Sequence, residues 1–180
     1  SIGRPPGSDM SNLLVQNIKH TNGTTAQTID SSGRILTSAR PFFHVYVDNG
    51  GSNPGMNTLN IVPFDGVLSN VGGHFNTSSS GSDNYSFTAP VAGVYQFNWN
   101  LSVYNVTAGN YIRQRVFKNG GSLHFFEYND SQTTGDQNYS ASFALLLAAN
   151  DYIQFFAQAQ NAFNLSAGTS WNNCMGYLVG

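Results

Sequence analysis

The chain has 180 residues, of which 40% are hydrophobic, 13% are aromatic and only 9% are charged. This length suits one domain with an extension, and no apolar run approaches the ~20 residues of a membrane-spanning helix, so membrane insertion is not expected. Seven scattered Lys and Arg residues do not supply the cationic cluster that nucleic-acid phosphates require, so nucleic acid is excluded as a partner.

The first 40 residues are predicted to precede the main domain. Residues 1–9 show no periodicity, and we expect them to be a disordered tail or an artificial remnant ahead of a natural start at Met10. Residues 10–40 are predicted to form a short β-hairpin extension, because Asn22-Gly23 is a strong hairpin signal and 30–33 reads as a second turn. With so few apolar side chains, this segment should fold only against copies of itself or a larger partner.

From Pro41 onward, short strands separated by turn signals follow one another, with Asn and Gly dominating the turns. No segment shows a convincing helical period, so residues 41–180 are predicted to form an all-β jelly-roll β-sandwich of about ten antiparallel strands. The predicted strands are 42–47, 59–64, 67–75, 85–88, 94–106, 111–118, 123–128, 139–148, 152–159 and 175–179.

The strand 94–106 has the clearest pattern. Tyr95, Phe97, Trp99, Leu101 and Val103 alternate with polar residues, which predicts an aromatic inner face against the core. The single cysteine, Cys174, lies in an apolar segment and is predicted to be a buried, inert thiol.

The spacing of these aromatic residues and their neighbours resembles the globular domain of the complement C1q family, which belongs with the tumour-necrosis-factor superfamily of jelly rolls. The resemblance covers 41–180 and extends to the motifs at 116–120 and 147–153, where Asn150 replaces the usual glycine, a change that Asn tolerates. It implies a homotrimer, and it implies a fold-signature and core set comprising Phe64, Asn70, Phe75, Phe87, Gly93, Tyr95, Phe97, Trp99, Gly176 and Tyr177.

Residues 17–34 resemble segments of tail-fibre and other virion proteins of bacteriophages. Together the two resemblances imply a homotrimeric virion-surface protein, such as a tail fibre, a receptor-binding head or a capsid-decorating head. It would attach to a host-surface glycan or protein without catalysis, and residues 10–40 would contact other virion proteins. The alternative is a secreted recognition or signalling module of the C1q and tumour-necrosis-factor type, although no collagen-like Gly-x-y stalk accompanies the domain.

No catalytic motif is present: the four histidines occupy different segments, and no nucleophile elbow or phosphate loop occurs. No cofactor is expected. The loop 130–136 offers Asp130 and Asp136 as weak calcium ligands, but it lacks a bidentate Glu or a dense acidic cluster, so a solvated loop is favoured.

Binding is therefore assigned to loops and aromatic side chains. Loops on a rigid sandwich tolerate variation, and the candidate partner-binding residues in them are Asn53, Asn76, Ser79, Asp83, Asp130, Thr133 and Asp136. A second set of aromatic residues would line the threefold seam between protomers or stack on sugar rings, and the seam is favoured: Tyr104, Tyr111, Phe126, Tyr128 and Phe163.

Overall fold

The computed structural model describes residues 14–37, 39–51, 54–129 and 137–180. The chain divides between residues 39 and 40 into two compact units, which we call the front unit and the head. All 16 described strands lie in antiparallel sheets, as the sequence predicts, and one short 3-10 turn, Asn49–Gly51, is the only helical element of the described residues.

The front unit is a three-stranded sheet of β1 (Asn17–Lys19), β2 (Thr25–Ile29) and β3 (Ile35–Leu36). Both turns predicted from the sequence connect these strands. In the second turn, the Asp30 carboxylate accepts hydrogen bonds from the backbone N–H groups of Ser32 and Arg34. The Arg34 backbone and side-chain bonds hold the pKa of Asp30 below its ordinary value. No residue of 14–37 is buried.

The head contains the remaining thirteen strands, in two sheets. In chain order they are β4 (Phe42–Tyr46), β5 (Gly55–Met56), β6 (Leu59–Ile61), β7 (Gly66–Val71), β8 (Phe75–Asn76), β9 (Ser86–Thr88), β10 (Gly93–Tyr104), β11 (Tyr111–Lys118), β12 (Gly121–Asn129), β13 (Gln137–Leu147), β14 (Tyr152–Ala159), β15 (Phe163–Leu165) and β16 (Asn173–Leu178).

Sheet I has the order β5-β15-β10-β16-β4-β7, with β13 paired to the other edge of β10. Sheet II has the order β12-β11-β14-β9-β8, with β6 also paired to β14. The two sheets enclose one aromatic core. On β10, the five side chains predicted to face inward are each at most 2% exposed. Phe87 packs on Phe43 and Phe97 with ring centroids 5.0 and 5.9 Å apart.

Two details of the strand prediction differ from the structure. The predicted strand 67–75 is interrupted, because Gly72 and Gly73 adopt φ values of 81° and 71° and turn the chain between β7 and β8. The short strands β5 and β15 pair with each other and were not predicted, since two- and three-residue strands carry no measurable alternation.

A buried amide holds the middle of sheet I together where β10 changes partners. β10 pairs with β16 as far as Asn100 and with β15 from Val103 onward. Between these stretches, fully buried Asn172 accepts a hydrogen bond from the Ser102 N–H at 2.8 Å and donates to the Ser102 carbonyl at 2.7 Å. Its amide also donates to the Ser166 carbonyl, so the side chain satisfies backbone groups that the ladder leaves open.

Candidate functional site

The first candidate site is the face of sheet I that points away from the core, which we call the open face. It is formed by alternate residues of β4, β16, β10 and β13, whose other side chains are buried in the core. The registers align these residues in three cross-strand rows, which are Phe42–Tyr177–Gln96–Ala144, His44–Met175–Asn98–Ser142 and Tyr46–Asn173–Asn100–Ser140.

One end of the open face is apolar and exposed. Val94 lies opposite Leu146 in the β10–β13 ladder, and these side chains are 37% and 76% exposed. Tyr177 and Val179 extend the apolar surface at 38% and 49% exposure. On the four strands of the open face, all of which belong to the described chain, no outward position holds Asp, Glu, Lys or Arg.

The other end of the open face is lined by neutral polar side chains. Ser142 donates to the Asn98 side-chain oxygen at 2.8 Å, and Ser140 donates to that of Asn100 at 3.1 Å. These four residues line a shallow depression together with Asn173 and Met175. The arrangement offers amide and hydroxyl groups without charge, so its interactions are insensitive to salt.

The second candidate site is the solvent face of sheet II along β11, where Tyr111, Arg113, Arg115 and Phe117 alternate with buried residues. Arg113 pairs with Glu127 on β12, and its guanidinium lies 4.1 Å from the centre of the Tyr111 ring. We call the outward residues of β11 the arginine strip.

The Asp151 carboxylate connects the turn after β11 with the turn before β14 through an ion pair and hydrogen bonds. Lys118 Nζ lies 2.6 Å from Asp151 Oδ2, and the Asn119 amide donates to Asp151 Oδ1 at 2.7 Å. The Ala148 N–H also donates to this carboxylate. The Lys118 bond, followed by the Asn119 bond, lowers the pKa of Asp151 to about 2. This network is structural, since it joins the two motifs at 116–120 and 147–153.

Most of the fold-signature set lies in or beside the core. Phe64, Phe75, Phe87, Tyr95, Phe97, Trp99 and Gly176 are buried. Asn70 accepts a bond from the Phe75 N–H and donates to the Phe75 carbonyl, which closes the turn between β7 and β8. Gly93 is half-buried, and an added Cβ would lie 3.0 Å from the Gly180 carbonyl oxygen. Tyr177 differs, because its parity on β16 directs it to the open face instead of the core.

The aromatic candidates for a seam or a sugar platform do not form one surface. Phe163 is 2% exposed and packs in the core of its own protomer, so it is unavailable for either role. The ring centroids of Phe126 and Phe143 lie 5.7 Å apart, and those of the stacked rings of Tyr128 and Tyr139 lie 4.5 Å apart. Phe126 and Tyr128 therefore close the side of the sandwich between β12 and β13. The other two residues, Tyr104 and Tyr111, are half-buried at the ends of β10 and β11.

The candidate loop residues are only partly described. Asn53, Asp130, Thr133 and Asp136 lie outside the described residues, so the calcium and loop predictions at these positions remain predictions. In the loop 77–85, exposed Ser79 and Asp83 are described, and the Asn76 amide donates to the Asp83 carbonyl at 3.2 Å. Within the described ranges, no group of three or more His, Cys, Asp or Glu side chains is placed to hold a metal.

Sequence reasoning missed the polar side chains that organise the interior. Buried Gln114 donates to the Trp99 carbonyl and accepts from the Tyr128 hydroxyl at 2.8 Å. Burial raises the pKa of Tyr128 and that of the Cys174 thiol, which is fully enclosed as predicted. Gln114 occupies an inward position of β11 between the buried residues Ile112 and Val116. This alternation is the one sequence feature that indicates its burial.

The arrangement of the head can be compared with known families. The model of the C1q domain matches residues 43–179, which is most of the head. The chain belongs to the C1q domain family. The match includes the strands that build the open face and the strand that carries the arginine strip. Among curated proteins, no sequence matches at a significant level.

Solved structures show the same fold at low sequence identity. The globular domain of the zebrafish complement 1qA protein is 20% identical, with a TM-score of 0.54, and the match covers 78% of this chain and 98% of that one. Murine APRIL at pH 5.0 is 13% identical, with a TM-score of 0.58 and coverage of 78% and 99%. Eiger TNF from S. frugiperda is 10% identical, with a TM-score of 0.59 and coverage of 79% and 94%. In the described ranges, no helix is long and apolar enough to cross a membrane.

Proposed function

We propose that the chain forms a homotrimeric recognition head that binds its target without catalysis. The observation that carries the proposal is the open face of sheet I, a surface without formal charge that ends in the exposed apolar cluster of Val94, Leu146, Tyr177 and Val179. An exposed apolar patch next to neutral polar groups is typical of a surface that another protein covers. A second and third copy of the same chain supply such a cover by closed rotational symmetry.

The finer proposal is that this head belongs to a bacteriophage virion and attaches the particle to a host-surface glycan or protein. It is supported by the resemblance of residues 17–34 to tail-fibre segments and by the exposed side chains of the front unit, including Leu14 at 93% and Ile35 at 64%. Such a segment needs a partner to cover it, and another virion protein is the proposed partner. Three identical sites on one head raise avidity without a tight individual site.

Native mass spectrometry of the Leu146→Glu variant tests the assembly. The wild-type chain is expected at three times the protomer mass at micromolar concentration. Leu146→Glu is expected at one protomer mass, because a carboxylate at the centre of an apolar contact is buried without a partner.

Leu123→Glu is the matched control, since Leu123 is 42% exposed but lies on β12 of sheet II. It should remain trimeric. A wild-type monomer, or a trimer that survives Leu146→Glu, would contradict the assignment of the open face as the interface.

A secreted recognition or signalling module is the rival, because the fold shared with the zebrafish complement, APRIL and Eiger structures is compatible with either role. Immunogold labelling of purified particles from the source organism separates the two. Labelled virions support the virion role, whereas the protein in particle-free medium alone would support the rival.

A further inference from the structure

The arginine strip on the outer face of sheet II points to a ligand site that the open face does not explain. β11 carries Arg113, Arg115 and Lys118, three of the seven cationic residues of the whole chain. Lys118 is engaged by Asp151 and Arg113 by Glu127. Arg115 differs, since no carboxylate of the described residues lies within ion-pair distance of it.

Neutral side chains hold the Arg115 guanidinium in place. One terminal nitrogen donates to the Gln158 side-chain oxygen at 3.2 Å, and the other donates to the Ser122 hydroxyl at 2.7 Å. The Arg115 Nε is buried and has no hydrogen-bond partner. A guanidinium has five N–H donors, so each terminal nitrogen retains a second N–H for a ligand. The result is a preorganised cation whose charge the protein does not neutralise.

Aromatic rings lie directly beside this cation. The Arg115 guanidinium is 5.3 Å from the centre of the Phe117 ring, and Phe156 lies opposite Arg115 in the β11–β14 ladder. Phe117 and Phe156 pack together with ring centroids 4.3 Å apart, and both remain partly exposed. An arginine fork matches the two oxygens of a carboxylate, while a ring surface suits the apolar face of a sugar.

We propose that Arg115, Phe117 and Phe156 form a binding site for a carboxylate-bearing glycan, with Gln158 and Ser122 as positioning residues. The shared chemistry is a sugar ring that carries a carboxylate, as in a sialic acid or a uronic acid. The proposal rests on the proposed recognition function and names its ligand class. Because the site is on sheet II and the open face is on sheet I, trimer formation through the open face leaves three copies of it accessible.

Calorimetric titration of the wild-type protein distinguishes the possible ligands. The probes are polysialic acid, polygalacturonate, carboxyl-reduced polygalacturonate and poly-L-glutamate. At least one acidic polysaccharide is expected to bind, and which of the two binds identifies the acidic sugar. The carboxyl-reduced polymer should bind at least about tenfold more weakly, because the charge-assisted bonds to Arg115 are lost. Poly-L-glutamate should bind similarly weakly, since it has no sugar ring for Phe117 and Phe156.

Variants assign the binding to the site. Arg115→Gln should weaken binding about tenfold or more, and Arg115→Lys should retain part of it because it keeps the charge without the fork. Arg40→Gln is the control of equal net charge, since Arg40 is exposed at the start of the head, and it should bind as the wild type does. Thermal unfolding of each variant checks that the head is folded, and Arg115→Lys keeps the test valid if Arg115→Gln does not fold.

Four results would overturn the site: no binding of either acidic polysaccharide, binding of polygalacturonate that is not weakened by carboxyl reduction, equal binding of poly-L-glutamate, or undiminished binding by both Arg115 variants. Equal binding of poly-L-glutamate would indicate an acidic protein as the partner. The native mass of each sample, one or three protomers, separates this failure from that of the proposed assembly. A trimer that binds no acidic glycan would contradict only the proposed binding site. A monomer that binds an acidic glycan would contradict only the proposed trimer.

Discussion

At the scale of single residues, the ion pair and hydrogen bonds around Asp151 show how a few charged side chains can stabilise the head. The carboxylate side chain is only 12% exposed and accepts bonds from Lys118, Asn119 and the Ala148 N–H. Asn119 in turn accepts a bond from the Tyr152 N–H at 2.9 Å. The ionised form of Asp151 is therefore the form that folding favours.

This preference predicts an acid-sensitive contribution to stability. The pKa of Asp151 falls from 3.8 to about 2 on folding, so the stabilisation is fully present above the unfolded value and is lost as the pH falls from about 5 towards 2. Asp151→Asn should lower the free energy of unfolding at pH 7 by roughly 2 kcal/mol and reduce its dependence on pH below 5. Urea unfolding at pH 7 and pH 3 measures both effects, and parallel pH profiles for the variant and the wild type would contradict the assignment.

Single residues also show which features of the sequence were readable. Asn150 was predicted to tolerate a left-handed turn, and its φ is 70°. The buried amides of Asn172 and Gln114 were not predicted, because their partners are backbone groups distant in sequence, such as Ser102 and Trp99. Turn residues act locally, whereas a buried amide acts through tertiary contacts that alternation does not encode.

At the scale of elements, the close packing of β16 against the core depends on one glycine. Gly176 lies between Phe97 on β10 and Phe43 on β4 in the sheet I registers. A Cβ at Gly176 would approach atoms of the Phe43 ring to 2.4 Å and of the Phe97 ring to 2.8 Å. Both phenylalanines are fully buried among other rings, so neither has space to move away.

Gly176→Ala is therefore expected to destabilise the head by about 1–3 kcal/mol, as overpacking of a filled core does. Gly121→Ala is the matched control, because the nearest atom to its Cβ would be the Lys118 carbonyl oxygen at an ordinary 3.5 Å. Chemical denaturation with guanidinium compares the two variants. Equal stability of Gly176→Ala and the wild type would show that the Phe43 and Phe97 rings can rearrange.

Strands of eight residues or more were recognised from the sequence, whereas the two- and three-residue strands β5 and β15 were missed. The strands β11 and β14 were predicted with the bounds that the structure gives them, since eight residues display alternation clearly.

The candidate sites were harder to predict from the sequence than the strands. The alternation on β10 predicted a polar outer face, but the alignment of Tyr177 and Leu146 with it depends on register between distant strands. The arginine strip likewise depends on Gln158 and Ser122, which come from two other strands.

At the scale of the whole molecule, the chain combines two units that differ in how well they bury their own apolar residues. The two sheets of the head enclose a continuous core of buried apolar side chains, whereas residues 14–37 contain no buried side chain. A three-stranded sheet without a core contributes little stability alone. The head therefore contains the buried core that folding requires, whereas the front unit leaves apolar side chains such as Leu14 and Ile35 exposed.

Removing residues 1–39 tests this division. The remaining chain, residues 40–180, is expected to unfold at the same denaturant concentration as the full chain, because the core lies within it. It is also expected to remain trimeric by light scattering, since the open face is retained. Leu146→Glu in the shortened chain is the matched control and should give a monomer. If the shortened wild-type chain is itself a folded monomer, the front unit drives assembly, and the apolar cluster of Val94 and Leu146 must be covered by a different partner.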